Sequence, residues 1–257
     1  MKRTPVSFDP NYFPQEFHAL LAGNPLFDSS CSTEAKVWFI DKGDGFFLKA
    51  SSNGLLKTEA EMTAYYHSKG LAAEVLSYVQ GDTDWLLTAR VPGEDCTHAQ
   101  YLEDPKRLCE TTATLLRSLH ETDATGCPVP NRTQDYLATA ERNFRNGICD
   151  LDGTAFHTPE EAWSIAQEYA GALHTDTLLH GDYCLPNIML DNWNFTGFID
   201  LDHGGIGDRH IDLFWGIWTL GFNLKTDAYR DRFLDAYGRD KVDTELLNAI
   251  SAFEVFG

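Results

Sequence analysis

The 257-residue chain has no long apolar run and few basic residues. Its start, Met1-Lys2-Arg3-Thr4-Pro5, lacks the apolar stretch of a signal peptide, and its most apolar segment, 213–222, is about half the length that a membrane-spanning helix needs. Lys and Arg number 20 against 39 Asp and Glu, which gives a formal net charge of −19. Such a charge repels nucleic acid and anionic membranes and attracts cations. We therefore expect a cytoplasmic protein that binds neither nucleic acid nor a membrane.

No Cys-x-x-Cys pair occurs in the sequence, although it contains six cysteines. They are scattered at positions 31, 96, 109, 127, 149 and 184. This spacing indicates neither a zinc site nor a disulfide framework. We expect reduced thiols.

The first third of the sequence has the pattern of a small β-sheet with one helix. Val37-Trp38-Phe39-Ile40 and Phe46-Phe47-Leu48-Lys49, separated by the turn dipeptide Asp44-Gly45, predict a hairpin. The pattern also predicts a helix at Glu59–Ser68 and strands at Val75–Val79 and Trp85–Ala89.

Helix signals dominate after Val91-Pro92-Gly93. Asp104-Pro105 and Thr158-Pro159 are helix starts, and Thr158 has the capping-box spacing to Glu161. Two further helices are predicted at 228–237 and 244–256, with short apolar runs at 177–179, 188–190 and 195–199. The prediction is an α+β fold with two lobes. An N-terminal antiparallel β-sheet lobe with one helix occupies 1–91, and a larger, mainly helical C-terminal lobe occupies 92–257.

The segment His180-Gly181-Asp182-Tyr183-Cys184-Leu185-Pro186-Asn187 is the strongest chemical signal. A carboxylate followed five residues later by a carboxamide, between short strands, is the pattern of a kinase catalytic loop. Asp182 can orient an acceptor hydroxyl group or accept its proton, and the Asn187 oxygen can ligate a metal ion. Asp200 follows the next apolar run, where a second carboxylate is suited to Mg²⁺ that bridges phosphates.

Lys49 and Glu59 precede this set in the order expected of a kinase ion pair. Lys49 ends a predicted strand and Glu59 lies in the helix that follows, so Lys49 is suited to contact phosphates while Glu59 holds it. No glycine-rich loop precedes Lys49. The hydroxyl-rich segment 29–33 takes that place, and its hydroxyl and N–H groups can surround a phosphate. The remaining histidines, His120 and His210 among them, are interpreted as surface or capping residues.

These motifs resemble the aminoglycoside phosphotransferase family, and within it the aminoglycoside 3'-phosphotransferases. The resemblance is carried by His180-Gly-Asp-x-x-x-x-Asn187 with Gly197-Phe198-Ile199-Asp200-Leu201, and by Thr33-Glu34-Ala35-Lys36-Val37 and Gly207-Asp208-Arg209-His210-Ile211-Asp212-Leu213. It extends from about residue 29 to the end of the chain and implies a protein-kinase-like fold.

The resemblance also implies cofactors and roles. ATP, with GTP as an open alternative, and Mg²⁺ are the implied cofactors. By resemblance, Asp182 is the catalytic aspartate, and Asn187 and Asp200 bind the metal. The implied nucleotide-binding residues are Lys49 and Glu59 at the phosphates, Phe47 stacked on adenine, Thr33 in the nucleotide loop, and Ala89 and Val91 in the segment that hydrogen-bonds the base.

The implied substrate is a cationic aminoglycoside, phosphorylated on a hydroxyl group, the 3' one by resemblance, which would confer antibiotic resistance. Asp150, Asp152 and Glu254 are the candidate residues for its ammonium groups. The acidic loop at 150–157 is shorter than in known members, and helix positions that are charged there are Trp218 and Phe222 here. These departures keep open a kinase of another small hydroxylated metabolite, such as an amino alcohol or sugar derivative. An inactive nucleotide-binding regulatory module is a third hypothesis, and the oligomeric state stays open.

Overall fold

A computed structural model of the chain describes residues 3–31 and 35–257. The strands are β1 (Thr4–Pro5), β2 (Leu26–Asp28), β3 (Lys36–Ile40), β4 (Phe46–Ser52), β5 (Val75–Val79), β6 (Thr83–Ala89), β7 (Glu94–Asp95), β8 (Thr177–Leu179), β9 (Ile188–Asp191), β10 (Asn194–Phe198) and β11 (Gly205–Gly207). The α-helices are α1 (His18–Leu21), α2 (Lys57–Ser68), α3 (Ala99–Leu102), α4 (Pro105–His120), α5 (Arg132–Arg145), α6 (Pro159–Tyr169), α7 (Arg209–Leu224), α8 (Arg230–Tyr237) and α9 (Thr244–Glu254).

The chain divides into two compact units. One consists of Met1–Asp95 and Met189–Asp202, and the other of Cys96–Ile188 and His203–Gly257. The domain boundary at residue 91 stays a prediction.

A six-stranded sheet with the order β1-β2-β3-β4-β6-β5 lies in the first unit. The predicted hairpin is β3 and β4, which pair antiparallel with Val37 opposite Lys49. On its other side β4 pairs with β6, with Lys49 opposite Leu86. Because β4 has a strand on each side, the backbone of Lys49 is held within the ladder and does not lie at a free sheet edge.

Helix α2 follows β4 and packs against the sheet through Leu56, Ala60 and Leu86. It lacks a capping side chain from its own N-cap residue, Leu56. The carboxylate of Asp84, on β6, accepts the Leu56 N–H at 3.3 Å instead. A sheet residue therefore stabilises the turn at which α2 begins, two residues before Glu59.

Strands β7, β9 and β10 form a second, three-stranded sheet with β9 in the centre. β9 and β10 are joined by a tight turn at Asn192 and Trp193, which both have positive φ. The Phe198 N–H donates to Leu71 O at 2.8 Å, at the end of β10. The chain then leaves the strand, and Asp200 follows two residues later.

Helices dominate the second unit. α4 begins as the sequence predicts: Asp104 accepts the Arg107 N–H at 3.2 Å and Pro105 occupies the first turn. Its buried face includes Leu108, Leu116 and Leu119. A core cluster of buried residues joins α5, α6, α7 and α9 to β8.

Helix α7 is buried along one face and apolar along much of the other. Its start is capped by Asp208, whose carboxylate accepts the His210 N–H at 2.8 Å. Within the described residues, we find no helix that is both long enough and apolar enough to cross a membrane.

Candidate active site

Lys49 lies between two carboxylates of its own unit. Its Nζ is 2.7 Å from Glu59 Oε2 and 2.7 Å from Asp200 Oδ1. The three residues come from β4, from the first turn of α2 and from the loop after β10. The structure thus brings together three residues that the sequence analysis singled out separately.

This group carries one more negative than positive charge when all three side chains are ionised. Burial opposes the charge on Lys49, but Glu59 and Asp200 outweigh it and raise the pKa of the ammonium group. Burial raises the pKa of Glu59 to about 7, with Lys49 acting in the opposite direction and Asp200 adding to the rise. A further cation beside the carboxylates would be stabilised electrostatically.

Asp200 adopts a backbone conformation that few non-glycine residues occupy, with φ 57°. Its side chain is half exposed, at 51%. A left-handed residue of this kind costs about 1–3 kcal/mol unless its surroundings compensate, and such residues cluster at functional sites. An exposed carboxylate held in this way is well suited to a hard cation.

Asp182 and Asn187 are paired within the second unit. The Asn187 amide nitrogen donates to Asp182 Oδ2 at 2.8 Å and to the Asp182 carbonyl at 3.0 Å. A short 3-10 turn at Leu185–Asn187 brings the amide back toward Asp182. Because its nitrogen is used in this way, the amide oxygen of Asn187 is the group that remains for a cation.

Asp212, on α7, holds the backbone of this loop. Its buried carboxylate accepts the His180 N–H at 2.8 Å and the Gly181 N–H at 2.7 Å. His120 lies 3.1 Å from the same carboxylate through Nε2, and its Nδ1 lies 2.9 Å from the Tyr237 hydroxyl group. Burial lowers the pKa of His120, although Asp212 acts in the opposite direction. The lowered pKa favours a neutral ring.

His120 and His210 correct the sequence analysis, which interpreted them as surface or capping residues. Both are buried. His210 Nδ1 lies 2.7 Å from Asp208, and its Nε2 accepts the Asp243 N–H at 3.0 Å. Each ring is hydrogen-bonded through both nitrogens, so each histidine links two neighbouring segments of the second unit.

Gly181 allows the backbone to approach a neighbouring segment closely. Its φ is +84°, and a Cβ atom built on it would lie 1.9 Å from the carbonyl oxygen of His203. Backbone atoms cannot yield as the end of a flexible side chain can. A glycine is therefore required immediately before Asp182.

Glu254 lies near the C-terminal end of α9, half-buried, in the same unit as Asp182. The Tyr136 hydroxyl group donates to Glu254 Oε1 at 2.7 Å, and the side chain of Trp215 lies close enough to lower the pKa of the carboxyl group. Burial raises the pKa of Glu254 to about 7, opposed by the Tyr136 hydrogen bond and by His203, while the charge of Asp182 raises it further. The carboxyl group thus changes charge near neutral pH.

Asp150 and Asp152 are exposed. The Asp150 N–H donates to Val255 O at 2.8 Å, which attaches this loop beside Glu254. The Asp150 carboxylate accepts the Asp152 N–H at 2.9 Å, which forms a local turn. Of the three acidic candidates for substrate contact, two therefore lie in an exposed loop and one in a half-buried position.

The remaining nucleotide candidates lie in the first unit, apart from Thr33, which is outside the described residues. Phe47, on β4, packs against Phe39 with ring centroids 5.3 Å apart. The Ala89 N–H donates to Glu74 O at 3.0 Å. Because this N–H group is already hydrogen-bonded, a nucleotide base at this segment would have to bond to the Ala89 carbonyl and the Val91 N–H.

Two solved structures establish the fold class. The crystal structure of aminoglycoside-3'-phosphotransferase of type VIII superposes with a TM-score of 0.72 at 23% identity, covering 99% of this chain and 94% of its own. A Streptomyces rimosus aminoglycoside phosphotransferase, in complex with ADP and streptomycin, gives 0.68 at 23% identity, covering 85% and 90%. The predicted α+β, protein-kinase-like fold is confirmed.

The family follows from the sequence. The model of the phosphotransferase enzyme family matches residues 30–247. A probable aminoglycoside 3'-phosphotransferase of Lactococcus lactis subsp. lactis (strain IL1403) is 49% identical over 249 residues, 95% of each chain. The chain belongs to the phosphotransferase enzyme family, and it is an enzyme. The resemblance drawn from the motifs is confirmed.

Some site residues carry no signal in the sequence alone. Tyr136 lies in α5, for which the sequence analysis predicts no helix, and Trp215 lies in an apolar stretch that gives no hint of a polar partner. Asp212 lies in a quoted motif without a role. Its two backbone partners become visible only in three dimensions.

Proposed function

We propose that the chain transfers the γ-phosphoryl group of ATP to a hydroxyl group of an aminoglycoside, at its 3' position, and so confers resistance to that antibiotic. The observation that carries the phosphoryl-transfer chemistry is Lys49 held at 2.7 Å by both Glu59 and Asp200. The acceptor is supported by the relative that is 49% identical over 95% of the chain.

Lys49 is proposed to bind the nucleotide phosphates. In the structure its ammonium group is shared by two carboxylates, so incoming phosphate oxygens have a charged donor already oriented by Glu59. Asn187 and Asp200 are the proposed Mg²⁺ ligands, and their oxygen donors fit a hard cation that keeps places for water and phosphate. Bound Mg²⁺ would neutralise charge that develops on the phosphate oxygens.

No group of three His, Cys, Asp or Glu side chains forms a metal site in the part of the chain that the structure describes. A cation that takes several of its ligands from a nucleotide needs no such group, because Mg²⁺ is usually held by one or two carboxylates together with phosphates. The residues therefore fit an ion that arrives with ATP.

Asp182 is proposed as the catalytic residue. The acceptor oxygen attacks the γ-phosphorus, the bond to the oxygen that bridges the β- and γ-phosphates breaks, and ADP leaves. The hydroxyl proton passes to the Asp182 carboxylate, which the Asn187 amide holds at 2.8 Å. Most of the rate enhancement in such transfers comes from positioning and charge stabilisation, which this arrangement provides.

The base of the nucleotide is proposed to lie against Phe47 and to hydrogen-bond to the backbone of Ala89 and Val91, with Thr33 near the phosphates. The occupied Ala89 N–H directs this proposal to the Ala89 carbonyl and the Val91 N–H. One acceptor and one donor on alternate residues fit the amino group and ring nitrogen of adenine. The 6-oxo group of guanine would face the carbonyl, so ATP is expected to be preferred over GTP.

The acceptor is proposed to bind through its ammonium groups to Glu254, Asp150 and Asp152. Glu254 is the strongest of these because it is half-buried and the hydrogen bond from Tyr136 fixes its position. A carboxylate of this kind contributes more to cation binding than one on an open surface.

A kinase of another hydroxylated metabolite is the second candidate, because Trp218 and Phe222 stand at positions where the resemblance leads us to expect charged residues. The assay that separates the two uses the purified chain with ATP and Mg²⁺, and with GTP in parallel. Its acceptor panel contains kanamycin, neomycin, gentamicin and uncharged alcohols.

Phosphorylated kanamycin, with the new phosphate located on the 3'-oxygen by NMR, is the expected product. Gentamicin, which has no 3'-hydroxyl group, is the matched control, and its phosphorylation should be much slower than that of kanamycin. Turnover of an uncharged alcohol without turnover of any aminoglycoside would establish the metabolite-kinase alternative. Gentamicin and kanamycin reacting equally would overturn the 3' position alone.

A further inference from the structure

Four aromatic side chains form a row along helix α7. Phe214 and Trp215 meet with ring centroids 5.5 Å apart, Trp215 and Trp218 at 5.3 Å, and Trp218 stacks on Phe222 at 5.0 Å with 11° between the planes. The outer two are exposed, Trp218 at 46% and Phe222 at 56%. We call Trp218 and Phe222 the aromatic ledge.

The ledge is continuous with the proposed acceptor site. Trp215 lies close enough to Glu254 to lower the pKa of its carboxyl group, and it contacts Trp218. Thr219, the residue after Trp218, accepts the Leu185 N–H of the catalytic loop at 3.1 Å. The same helix therefore contacts the loop of Asp182, the carboxylate of Glu254 and the ledge. From Trp215 to Phe222 the helix rises by about 10 Å, roughly the length of two sugar rings.

The ledge is too small for a stable contact with a second copy of the chain. The exposed parts of two aromatic side chains amount to about 200 Å², because each such side chain has about 150–250 Å² to bury. A stable dimer buries about 800 Å² on each partner. The area fits one small ring.

The chemistry of the ledge selects an amphipathic ring. Lys225 already places its ammonium group 4.2 Å from the centroid of Phe222, so the ledge offers a ligand apolar ring surface and not a free cation site. A sugar ring presents C–H groups on one face and hydroxyl or ammonium groups at its rim. The C–H face would pack on the ledge, while the rim would stay in water beside an acidic protein with a net charge of −19.

Resting on the function proposed above, we infer that the aromatic ledge binds the aminoglycoside ring farthest from the 3'-hydroxyl group. Glu254 then holds the part of the substrate nearer the transferred phosphate, and Trp218 sets how large an aminoglycoside is favoured. Trp218 and Phe222 make no proposed contact with the reacting atoms, so their contribution is to substrate affinity and selectivity.

The test measures KM and kcat of the full chain for kanamycin, which has three rings, and for neamine, the two-ring core of neomycin. Trp218→Ala is expected to raise KM for kanamycin by about 5- to 20-fold, Phe222→Ala by less, and Trp218→Phe least, because it keeps a ring. KM for neamine, kcat and KM for ATP should stay within about 2-fold. Leu76→Ala, at a position 41% exposed on β5, is the matched control and should change nothing.

An unchanged KM for kanamycin, or an equal rise for neamine, would overturn the inference and leave the proposed function standing. If the parent chain phosphorylates no aminoglycoside, both are overturned. Sedimentation of the parent and Trp218→Ala chains tests whether a second copy of the chain occupies the ledge instead. A parent dimer that Trp218→Ala dissociates would assign the ledge to self-association, against the inference.

Discussion

Asp182 and Asn187 form a hydrogen-bonded pair whose geometry fixes the position of one carboxylate oxygen. The amide donates to Asp182 Oδ2 at 2.8 Å. The proposed contact of this carboxylate with an acceptor hydroxyl group would use its other oxygen. The proposed proton transfer therefore depends on the position of one carboxylate oxygen of Asp182.

Replacing Asp182 by Asn tests that role with almost no change of shape. We expect kcat to fall by about 10²–10⁴-fold, the usual contribution of a positioned acid–base group, with ATP affinity and thermal unfolding unchanged. Steady-state kinetics and calorimetric ATP binding measure the two parts. Glu168→Gln, an exposed position on α6, removes an equal charge as a control. Turnover within a few-fold of the parent would remove Asp182 from the mechanism.

The raised pKa of Glu254 predicts that KM for kanamycin depends on pH. Its pKa, raised by burial to about 7, means that the folded protein holds a neutral carboxyl group below that pH and a carboxylate above it. Only the carboxylate attracts an ammonium group, so KM for kanamycin should fall as the pH rises from about 6 to about 8. Because the amines of the substrate also titrate, the relevant quantity is the KM ratio between the Glu254→Gln variant and the parent at each pH. That ratio should increase with pH.

Tyr136→Phe gives the prediction a second readout. The Tyr136 hydrogen bond lowers the pKa of Glu254, so its loss should move the midpoint of the KM profile to higher pH. A shift to lower pH, or a Glu254→Gln ratio that is flat, would contradict the assigned titration.

How far single residues could be predicted depends on whether their partners lie close in sequence. Asp182 and Asn187 are five residues apart, so a sequence motif identifies them. Tyr136 and Glu254 are 118 residues apart, and only the packing of α5 against α9 brings them together. Nothing in the local sequence around Tyr136 indicates a polar partner.

Elements with local signals were predicted well. The strand Val75–Val79 has the predicted bounds, and α4 begins at Pro105 after the Asp104 cap. Thr158 accepts the Glu161 N–H as the capping-box spacing predicts, but the Glu161 side chain reaches the N–H of His157, one residue before the expected one. Helix α5 was not predicted. In α7 the helix positions of Trp218 and Phe222 came from the resemblance alone, because the exposed face of this helix carries large apolar side chains and so lacks the polar residues that usually mark an outer face.

Asp212 links helix α7 to the catalytic loop, and its replacement tests that link. Asp212→Asn would turn an NH₂ group toward at least one of the two N–H donors, of His180 or Gly181, that the carboxylate now satisfies. We expect a loss of about 1–3 kcal/mol in the free energy of unfolding and a drop in kcat of about 10- to 100-fold, with KM for ATP unchanged.

Thr158→Ala is the matched control because it removes a helix cap elsewhere in the same unit. It should cost a similar free energy, about 0.5–2 kcal/mol, without lowering kcat. If the two variants lost stability and kcat in the same proportion, the role of Asp212 would be structural only.

The charge of the whole molecule predicts opposite salt effects on the two substrates. A net charge of −19 attracts a polycation and repels ATP. Raising the ionic strength from about 0.01 M to about 0.15 M shortens the Debye length from about 30 Å to about 8 Å. kcat/KM for kanamycin should then fall several-fold, while KM for ATP stays level or falls. Initial rates at each ionic strength measure both, and a parallel loss for the two substrates would show that long-range attraction is not the cause.

Gly181 limits which mutations the chain can accept. A side chain at this position would lie against the His203 carbonyl, whereas Gly126 and Gly147 have no atom within 4 Å of the corresponding point. In a library of single variants selected for growth on an antibiotic substrate, Gly181 should tolerate no other residue, alanine included. Gly126 and Gly147 should accept asparagine, which tolerates positive φ. Heritable change in this enzyme is therefore expected at exposed positions such as Trp218 and not at the turn that presents Asp182.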